Sequence, residues 1–258
     1  MIHIATPVSN FFFNKSYVEK IIQYSDVLEA REKTYHLDLK NIRLMHFDVD
    51  LVIIWSNLLK DKILQIVNAL PNLDLISFQC SKRCQDEKII NGKYILSGDI
   101  FSEIELNNNC KINIDWLRKN INSRTKIALE NNNYLNTSAY EIVTEPDFIS
   151  KLVEKNEIYF LFDLAHARIT AINKKINFQN YFSSLPMSKT IQLHICEYSI
   201  DKIGFAQDSH DEPNEKTYEN IKKIVDTNKS IKYMTLEYYK DINKLINNLK
   251  KLNNLLKK

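Results

Sequence analysis

Short apolar segments rich in β-branched and aromatic residues recur along the whole chain, and longer segments separate them. Eight of the short segments are predicted strands: Ile2–Ala5, Asp26–Ala30, Ile42–Phe47, Leu73–Phe78, Lys126–Glu130, Ile158–Asp163, Thr190–Ile195 and Tyr233–Glu237. The stretches between them place apolar residues three and four apart, which indicates amphipathic helices. Eight alternating units predict an α/β fold, a closed (β/α)8 TIM barrel, with a doubly wound open sheet as the alternative.

The length fits a single barrel domain over residues 1–258. A chain of 258 residues with 44% hydrophobic content can bury a large core, and (β/α)8 barrels commonly have this size. No internal repeat, linker or change of composition marks a second domain. The polar stretch at about 81–110 follows the fourth predicted strand and contains Gly92 and Gly98. In a barrel it would form a long loop over the mouth, where the active site lies.

Composition and charge exclude several classes of function. The chain has three glycines, none close enough to another to build a P-loop or a dinucleotide-binding loop. The net charge of +3 is small and basic residues are scattered, so nucleic-acid binding is not expected. We find neither an apolar run of roughly 18 residues nor signal-peptide features, which predicts no membrane association and a cytoplasmic protein. The four cysteines lack the spacing of a zinc or redox motif.

Polar side chains end seven of the eight predicted strands. In chain order they are Glu29, His46, Gln79, Glu130, Asp163, His194 and Glu237. His166 follows Asp163 by three residues, and Asp208 and His210 follow the seventh strand. Because the active site of a (β/α)8 barrel forms at the carboxyl ends of its strands, we expect these side chains to converge there.

Their convergence predicts a metal centre. Glu130, Asp163 and Glu237 would lie side by side, and without a cation their repulsion would raise their pKa values or open the site. The candidate ligands are His46, Glu130, Asp163, His166, His194, Asp208, His210 and Glu237. They are too many for one ion, which takes about three to five protein ligands, so two or three ions with bridging carboxylates fit better. Mixed carboxylate and imidazole ligands suit iron, manganese, zinc or cobalt, and ligand type does not choose among them.

Five short motifs occur in a characteristic order: ENNNY, LFDLAHA, IQLHI, DSHDEPNE and TLEYY. In this order they resemble the multinuclear non-heme iron-dependent oxidative enzymes, of which the methanobactin-biosynthesis iron oxidase is the best-known type. That family belongs to the xylose-isomerase-like barrels. The resemblance extends along nearly the whole chain and is strongest from Lys126 to Glu237.

The resemblance implies a barrel that holds two or three irons and activates dioxygen. Members of the family oxidise a residue, often cysteine, of ribosomally made precursor peptides, and many work with a partner protein that presents the peptide. Carried over by motif, the catalytic metal ligands would be Glu130, Asp163, His194 and Glu237, joined by His46, His166, Asp208 and His210. Asn132 would hold the Glu130 loop from outside the ligand set. Gln79 departs from the family pattern, which has a histidine there, so one iron position would be weak or altered.

Two other functions stay open at this point. Metal-dependent sugar isomerases, epimerases and endonucleases on the same barrel also join acids and histidines at strand ends, with manganese, magnesium or zinc. A non-catalytic module that keeps metal or peptide recognition without turnover is the third candidate, and Gln79 is the feature that favours it.

Overall fold

The computed structural model describes residues 1–256, and its centre is a closed barrel of eight parallel strands. Numbered in chain order with four hairpin strands, the strands are β1 His3–Pro7, β2 Val27–Arg31, β3 Ile42–Asp50, β4 Leu75–Gln79, β5 Ile89–Ile90, β6 Lys93–Tyr94, β7 Lys126–Glu130, β8 Tyr159–Asp163, β9 Thr190–Ile195, β10 Glu197–Ile200, β11 Ala206–Asp211 and β12 Tyr233–Leu236. The barrel order is β1-β2-β3-β4-β7-β8-β9-β12, and β12 pairs with β1 to close it. The predicted fold is confirmed, and the doubly wound alternative is wrong.

Helices follow the barrel strands, as the alternating pattern predicted. They are α1 Lys15–Ile22, α2 Asn57–Ala69, α3 Glu103–Asn120, α4 Pro146–Lys155, α5 Leu164–Lys174, α6 Phe178–Ser184, α7 Glu215–Thr227 and α8 Ile242–Leu256. Three single 3-10 turns, Asn10–Phe13, Ser138–Tyr140 and Met187–Lys189, complete the connections. Within residues 1–256, no helix is long and apolar enough to cross a membrane. The cytoplasmic location stays a prediction.

The predicted loop at about 81–110 extends too far towards its C-terminal end, because its last residues are helical. Ser102 and Glu105 form a capping box, with hydrogen bonds in both directions, so α3 begins at Glu103 and residues 103–110 are helical. The remainder contains the hairpin β5–β6, which is tied to the barrel because the Tyr140 hydroxyl accepts a hydrogen bond from the main-chain N–H of Tyr94 at 3.0 Å. Sequence reasoning missed a second hairpin, β10–β11, which follows β9 at the same end of the barrel.

An apolar layer fills the barrel interior and supports the site above it. It takes one buried residue from each strand: Ala5, Val27, Leu44, Leu75, Ala128, Leu161, Ile191 and Tyr233. Alternate residues of a strand face the same side, so on β2, β3, β7 and β8 the residue two positions further on also faces inward. On four strands that residue is a charged or imidazole side chain, namely Glu29, His46, Glu130 and Asp163. The carboxyl-terminal half of the barrel interior is therefore lined by polar side chains on these strands.

Candidate metal centre

All eight predicted metal ligands meet at the carboxyl-terminal end of the barrel. Glu130, at the end of β7, lies between two imidazoles. One of its carboxylate oxygens is 3.4 Å from His46 Nε2, and the other is 3.0 Å from His194 Nδ1. The three side chains are at most 4% exposed. This buried group forms the inner part of the site.

The contacts continue from His194 to the more exposed edge. His194 Nδ1 is 3.3 Å from Glu237 Oε2, which in turn lies 3.8 Å from His210 Nε2. Asp208 is 3.5 Å from both His210 Nδ1 and His166 Nε2. These contacts run without a break from His46 to His166, and each joins a carboxylate to an imidazole.

Asp163 shows how local structure places the last two predicted ligands. It ends β8 and caps α5, because its Oδ1 accepts the main-chain N–H of His166 at 2.7 Å. The same oxygen lies 3.9 Å from His166 Nδ1. The cap therefore holds the carboxylate and the imidazole together at the end of one strand.

The second oxygen of Asp163 fits a cation. Asp163 Oδ2 is buried and has no hydrogen-bond partner within residues 1–256. Burial raises the pKa of Asp163 to about 7, and the carboxylates of Glu130 and Glu237 add to this against the opposing effect of His166. A buried carboxylate oxygen without a donor is costly, and a metal ion would remove that cost.

Asn131 positions both side chains at this strand end. Its amide accepts the main-chain N–H of Asp163 at 2.8 Å and donates to the carbonyl of Asp163 at 3.0 Å, so it extends the pairing of β7 and β8 by one residue. The main-chain carbonyl oxygen of Asn131 lies 2.9 Å from His166 Nδ1. Asn132, which was predicted to hold this loop, accepts only the N–H of Asn133 with its side chain, at 2.8 Å. Asn131 makes the contacts that were expected of Asn132.

Arg31 and Glu29 extend the site beyond the prediction. The Arg31 guanidinium lies 2.6 Å from a carboxylate oxygen of Glu29 and donates a hydrogen bond to Glu237 Oε1. The other oxygen of Glu29 is 3.1 Å from His194 Nε2. Although burial favours the neutral acid, Arg31 and His194 lower the pKa of Glu29 to about 2. Glu29 is therefore a permanent negative charge beneath the site.

The site has an excess of negative charge. It contains five carboxylates: Glu29, Glu130, Asp163, Asp208 and Glu237. Within residues 1–256, Arg31 is the single lysine or arginine that forms an ion pair with any of them. Burial opposes protonation of His194, but Glu237 and Glu29 hold its pKa well above the usual value. A protonated His194 would thus provide part of the positive charge that bound metal ions would provide.

Sequence reasoning missed Cys196, which lies among these ligands. It is buried, and its Sγ is 4.0 Å from Asp208 Oδ1. Cys196 follows His194 by two residues, and alternate positions of an extended chain face the same side. The two-residue spacing from His194 was the feature of the sequence that could have identified Cys196 as a site residue. The cysteines were judged by their spacing from one another and not by their distance from a strand end.

Four groups of three side chains have ligand atoms within 4.8 Å of one another. They are Glu130–Asp163–His166, Glu29–His194–Glu237, Asp163–Cys196–Glu237 and Cys196–Asp208–His210. Asp163, Cys196 and Glu237 each belong to two groups. These shared residues join the four groups into one continuous set of candidate ligand atoms.

Gln79 and Asn132 lie at the entrance to the site, beside the predicted ligands His166 and Asp208. Together with Tyr94 of the β5–β6 hairpin, they line a cavity of about 240 Å³ that reaches His166 and Asp208. The exposed side of the site is the same edge, since the side chains of His210 and Asp208 are 33% and 22% exposed. A substrate would therefore approach past Gln79 and Asp208.

The closed barrel of eight parallel strands with intervening helices is a (β/α)8 TIM barrel, and acids and imidazoles cluster at the carboxyl ends of its strands. Residues 105–257 match the model of a family described as the RiPP precursor modification enzyme MbnB/TglH/ChrH, where RiPP denotes a ribosomally made and modified peptide. The match spans more than half of the chain, and the protein belongs to this family. The family resemblance predicted from the motifs is thereby confirmed. Seven of the eight predicted ligands lie inside the matched segment, and His46 precedes it.

Solved structures agree on the fold. A 3-keto-D-glucoside 4-epimerase from E. coli has a TM-score of 0.65 and 11% identity, with 100% of both chains covered. A D-tagatose 3-epimerase-like protein has a TM-score of 0.63 and 15% identity over 99% of this chain and 97% of the other. The IOLI protein with a bound zinc atom has a TM-score of 0.63 and 12% identity over 99% and 98%. At these identities the similarity shows the fold alone. No curated protein sequence matches the chain.

Proposed function

We propose that this enzyme uses a centre of two or three non-heme iron ions and dioxygen to oxidise a residue, cysteine in our proposal, of a ribosomally made precursor peptide. Membership of the family makes the protein a RiPP precursor modification enzyme. The metal, the oxidant and the target residue are the parts that we propose. Dioxygen would accept the electrons that the peptide residue loses.

The unbroken series of carboxylate–imidazole contacts is the observation that carries the proposal. Five carboxylates around one arginine leave negative charge that lysine and arginine side chains do not neutralise. Buried charges of this kind are retained when they are paired or bind a metal. Iron suits a ligand set of carboxylates and imidazoles, with manganese or zinc as the alternatives.

The side chains of this site have distinct proposed roles. Glu130, Asp163, His194 and Glu237 would be the catalytic ligands, and His46, His166, Asp208 and His210 would complete the set. Iron would supply the one-electron and dioxygen chemistry. Arg31 and the Tyr239 hydroxyl, 3.2 Å from Glu237 Oε1, would hold Glu237 in position. The buried inner residues would exclude water, and the Asp208–His210 edge would admit the peptide.

Oxygen uptake and peptide mass test the proposal together. The protein would be loaded with ferrous ion under anaerobic conditions and mixed with cysteine-bearing peptides encoded by neighbouring genes, with and without an adjacent candidate partner protein. We expect dioxygen consumption and a changed peptide mass. Glu130→Gln should abolish both, whereas Glu141→Gln, at a carboxylate that is 55% exposed, should not.

Other outcomes would redirect the assignment. Turnover of a sugar by zinc- or manganese-loaded protein without dioxygen would indicate an isomerase or epimerase. Cleavage of DNA would indicate an endonuclease. Peptide binding that never leads to a mass change, with iron bound, would indicate a non-catalytic module.

A further inference from the structure

Cys196 differs from the other cysteines of the chain in what its sulfur contacts. Cys80 donates to the carbonyl of Val143, and Cys84 donates to the carbonyls of Asp86 and Ile95. Cys110 accepts a weak hydrogen bond from an asparagine amide. These are contacts of ordinary packed thiols. The Cys196 sulfur faces a carboxylate instead.

Two overlapping groups of ligand atoms surround the Cys196 sulfur. Asp208 and His210 form the first group, and Asp163 and Glu237 form the second, each within 4.8 Å of the sulfur. Cys196 lies between the inner residues and the exposed edge. A thiol among three carboxylates has acceptors on every side and one proton to donate, an arrangement that a cation would satisfy better.

A second observation points to a ligand at this position. Asp163 is fully buried, and its Oδ2 has no hydrogen-bond donor among the described residues, 1–256. The other oxygen of Asp163 already caps α5 through the N–H of His166. The free oxygen is therefore available to an ion that Cys196 also contacts.

We infer that Cys196 is a thiolate ligand of one ion in this centre, in the subsite that it forms with Asp163 and Glu237. The inference rests on the proposed metal centre. Binding of the ion displaces the thiol proton, which leaves to solvent past the exposed His210 edge, and the sulfur keeps its electron pair for the metal. A thiolate ligand favours iron, cobalt or zinc over manganese or magnesium at that subsite. The subsite would therefore select its metal by softness.

Cobalt(II) is a direct probe because a thiolate bound to cobalt gives strong near-ultraviolet charge-transfer absorption, which oxygen and nitrogen ligands do not give. We expect this band when metal-free protein is titrated with cobalt under anaerobic conditions. Cys196→Ser and Cys196→Ala should lose it. Cys110→Ser is the matched control, since Cys110 is equally buried but lies in α3, and it should keep the band.

The failures of the two proposals are distinguishable. Two results would refute the role of Cys196 without refuting the metal centre. In the first, cobalt binds and shows its visible absorption but no charge-transfer band. In the second, the charge-transfer band persists in both Cys196 variants. Cobalt that does not bind at all overturns both proposals. X-ray absorption of the zinc-loaded natural protein needs no variant: we expect one sulfur at about 2.3 Å from zinc, and its absence would also refute the inference.

Discussion

His194 Nδ1 lies 3.0 Å from a carboxylate oxygen of Glu130, although β8 separates their strands, β9 and β7, in the barrel. Side chains from non-adjacent strands meet in this way when both point into a closed barrel. The contact therefore depends on barrel closure. It also gives the site its centre, since His46 contacts Glu130 and Glu237 contacts His194.

Replacing Glu130 with glutamine tests the centre of the site. The variant keeps the shape of the side chain but removes the charge that faces two imidazoles. We expect the affinity for ferrous ion or cobalt(II) to fall by at least about 100-fold, because even residues that only support a metal ligand are worth 10- to 100-fold. Calorimetry and metal content after dialysis measure this. Glu141→Gln is the control, and an unchanged metal affinity in Glu130→Gln would contradict the ligand assignment.

Arg31 is predicted to stabilise the metal-free protein more than the metal-bound protein. It is the one permanent cation paired with Glu29 and Glu237 within residues 1–256, and its side chain is 20% exposed. Removing one partner of a buried ion pair typically costs about 3–5 kcal/mol. We expect Arg31→Met to lose roughly 3 kcal/mol of unfolding free energy without metal, and to recover part of it when metal supplies the missing positive charge.

Thermal and denaturant unfolding, with and without cobalt(II), measure the effect of Arg31. Arg124 is an exposed arginine before β7, at the opposite end of the barrel, and Arg124→Met should change little in either state. An Arg31→Met protein with natural stability, or with no greater gain from metal than the natural protein, would show that Arg31 does not neutralise the site.

Asn131 and Asn132 offer a comparison between neighbours of the same type. Asn131→Ala removes two hydrogen bonds to the main chain of Asp163 and leaves the buried N–H of Asp163 without its side-chain acceptor, and an unsatisfied buried group costs about 1–3 kcal/mol. Asn132→Ala removes one local hydrogen bond, worth about 1 kcal/mol. We expect Asn131→Ala to be the less stable variant and the weaker metal binder. If both variants lose the same stability and metal affinity, Asn132 supports the metal centre as much as Asn131 does.

The barrel could be predicted from the sequence because each of its strands is a short apolar segment, and the residues of that segment alone identify it as a strand. The predicted eight strands correspond to β1, β2, β3, β4, β7, β8, β9 and β12, with shifts of a few residues at their ends. The hairpin β10–β11 was missed because its residues, including Asp208 and His210, are polar and exposed in part. Such strands lack the apolar alternation that identifies a strand.

The site was predictable where the strand end itself is polar. Glu130 and Asp163 follow an inward apolar residue by two positions, and that spacing can be read from the sequence. Arg31 is different, because its partner Glu237 lies 206 residues away and nothing local marks the pair. Asp163 was predicted as a strand end, but its second role as the cap of α5 depends on where the helix begins.

Arg43 and Asp74 provide a pH-dependent contribution at the other end of the barrel. Arg43 donates two hydrogen bonds to Asp74, at 2.9 and 2.7 Å, and the Tyr233 hydroxyl donates a third at 3.0 Å. Burial would raise the pKa of Asp74, but these contacts lower it overall. A lowered carboxyl pKa stabilises the fold above the unfolded value of about 3.9, and this stability is lost as the pH falls through the folded value.

A double-mutant cycle of Arg43→Gln and Asp74→Asn measures this coupling. Both side chains are partly exposed, at 45% and 33%, so we expect a coupling energy of only about 0.5 kcal/mol at neutral pH. It should be constant from pH 7 to about pH 5 and decline as the pH falls through the lowered pKa of Asp74. Unfolding by denaturant across this range gives the values, and a coupling that grows towards acid pH would contradict the sign.

Gln79→His tests whether the departure from the family pattern limits metal binding. Gln79 is half-buried and lines the entrance cavity with His166 and Asp208, so an imidazole there would face two of the predicted ligands. Imidazole binds iron, cobalt and zinc far better than an amide oxygen does. We expect the variant to retain about one more cobalt ion per chain, or to bind its weakest ion at least about tenfold more tightly, as measured by metal analysis and calorimetry.

Gln85→His is the control. The side-chain amide of Gln85 makes hydrogen bonds to the main chain of Ile54, away from the predicted ligands. If Gln79→His binds no more metal than this control, the entrance position does not belong to the metal centre, and the eight ligands predicted elsewhere in the chain define it without Gln79.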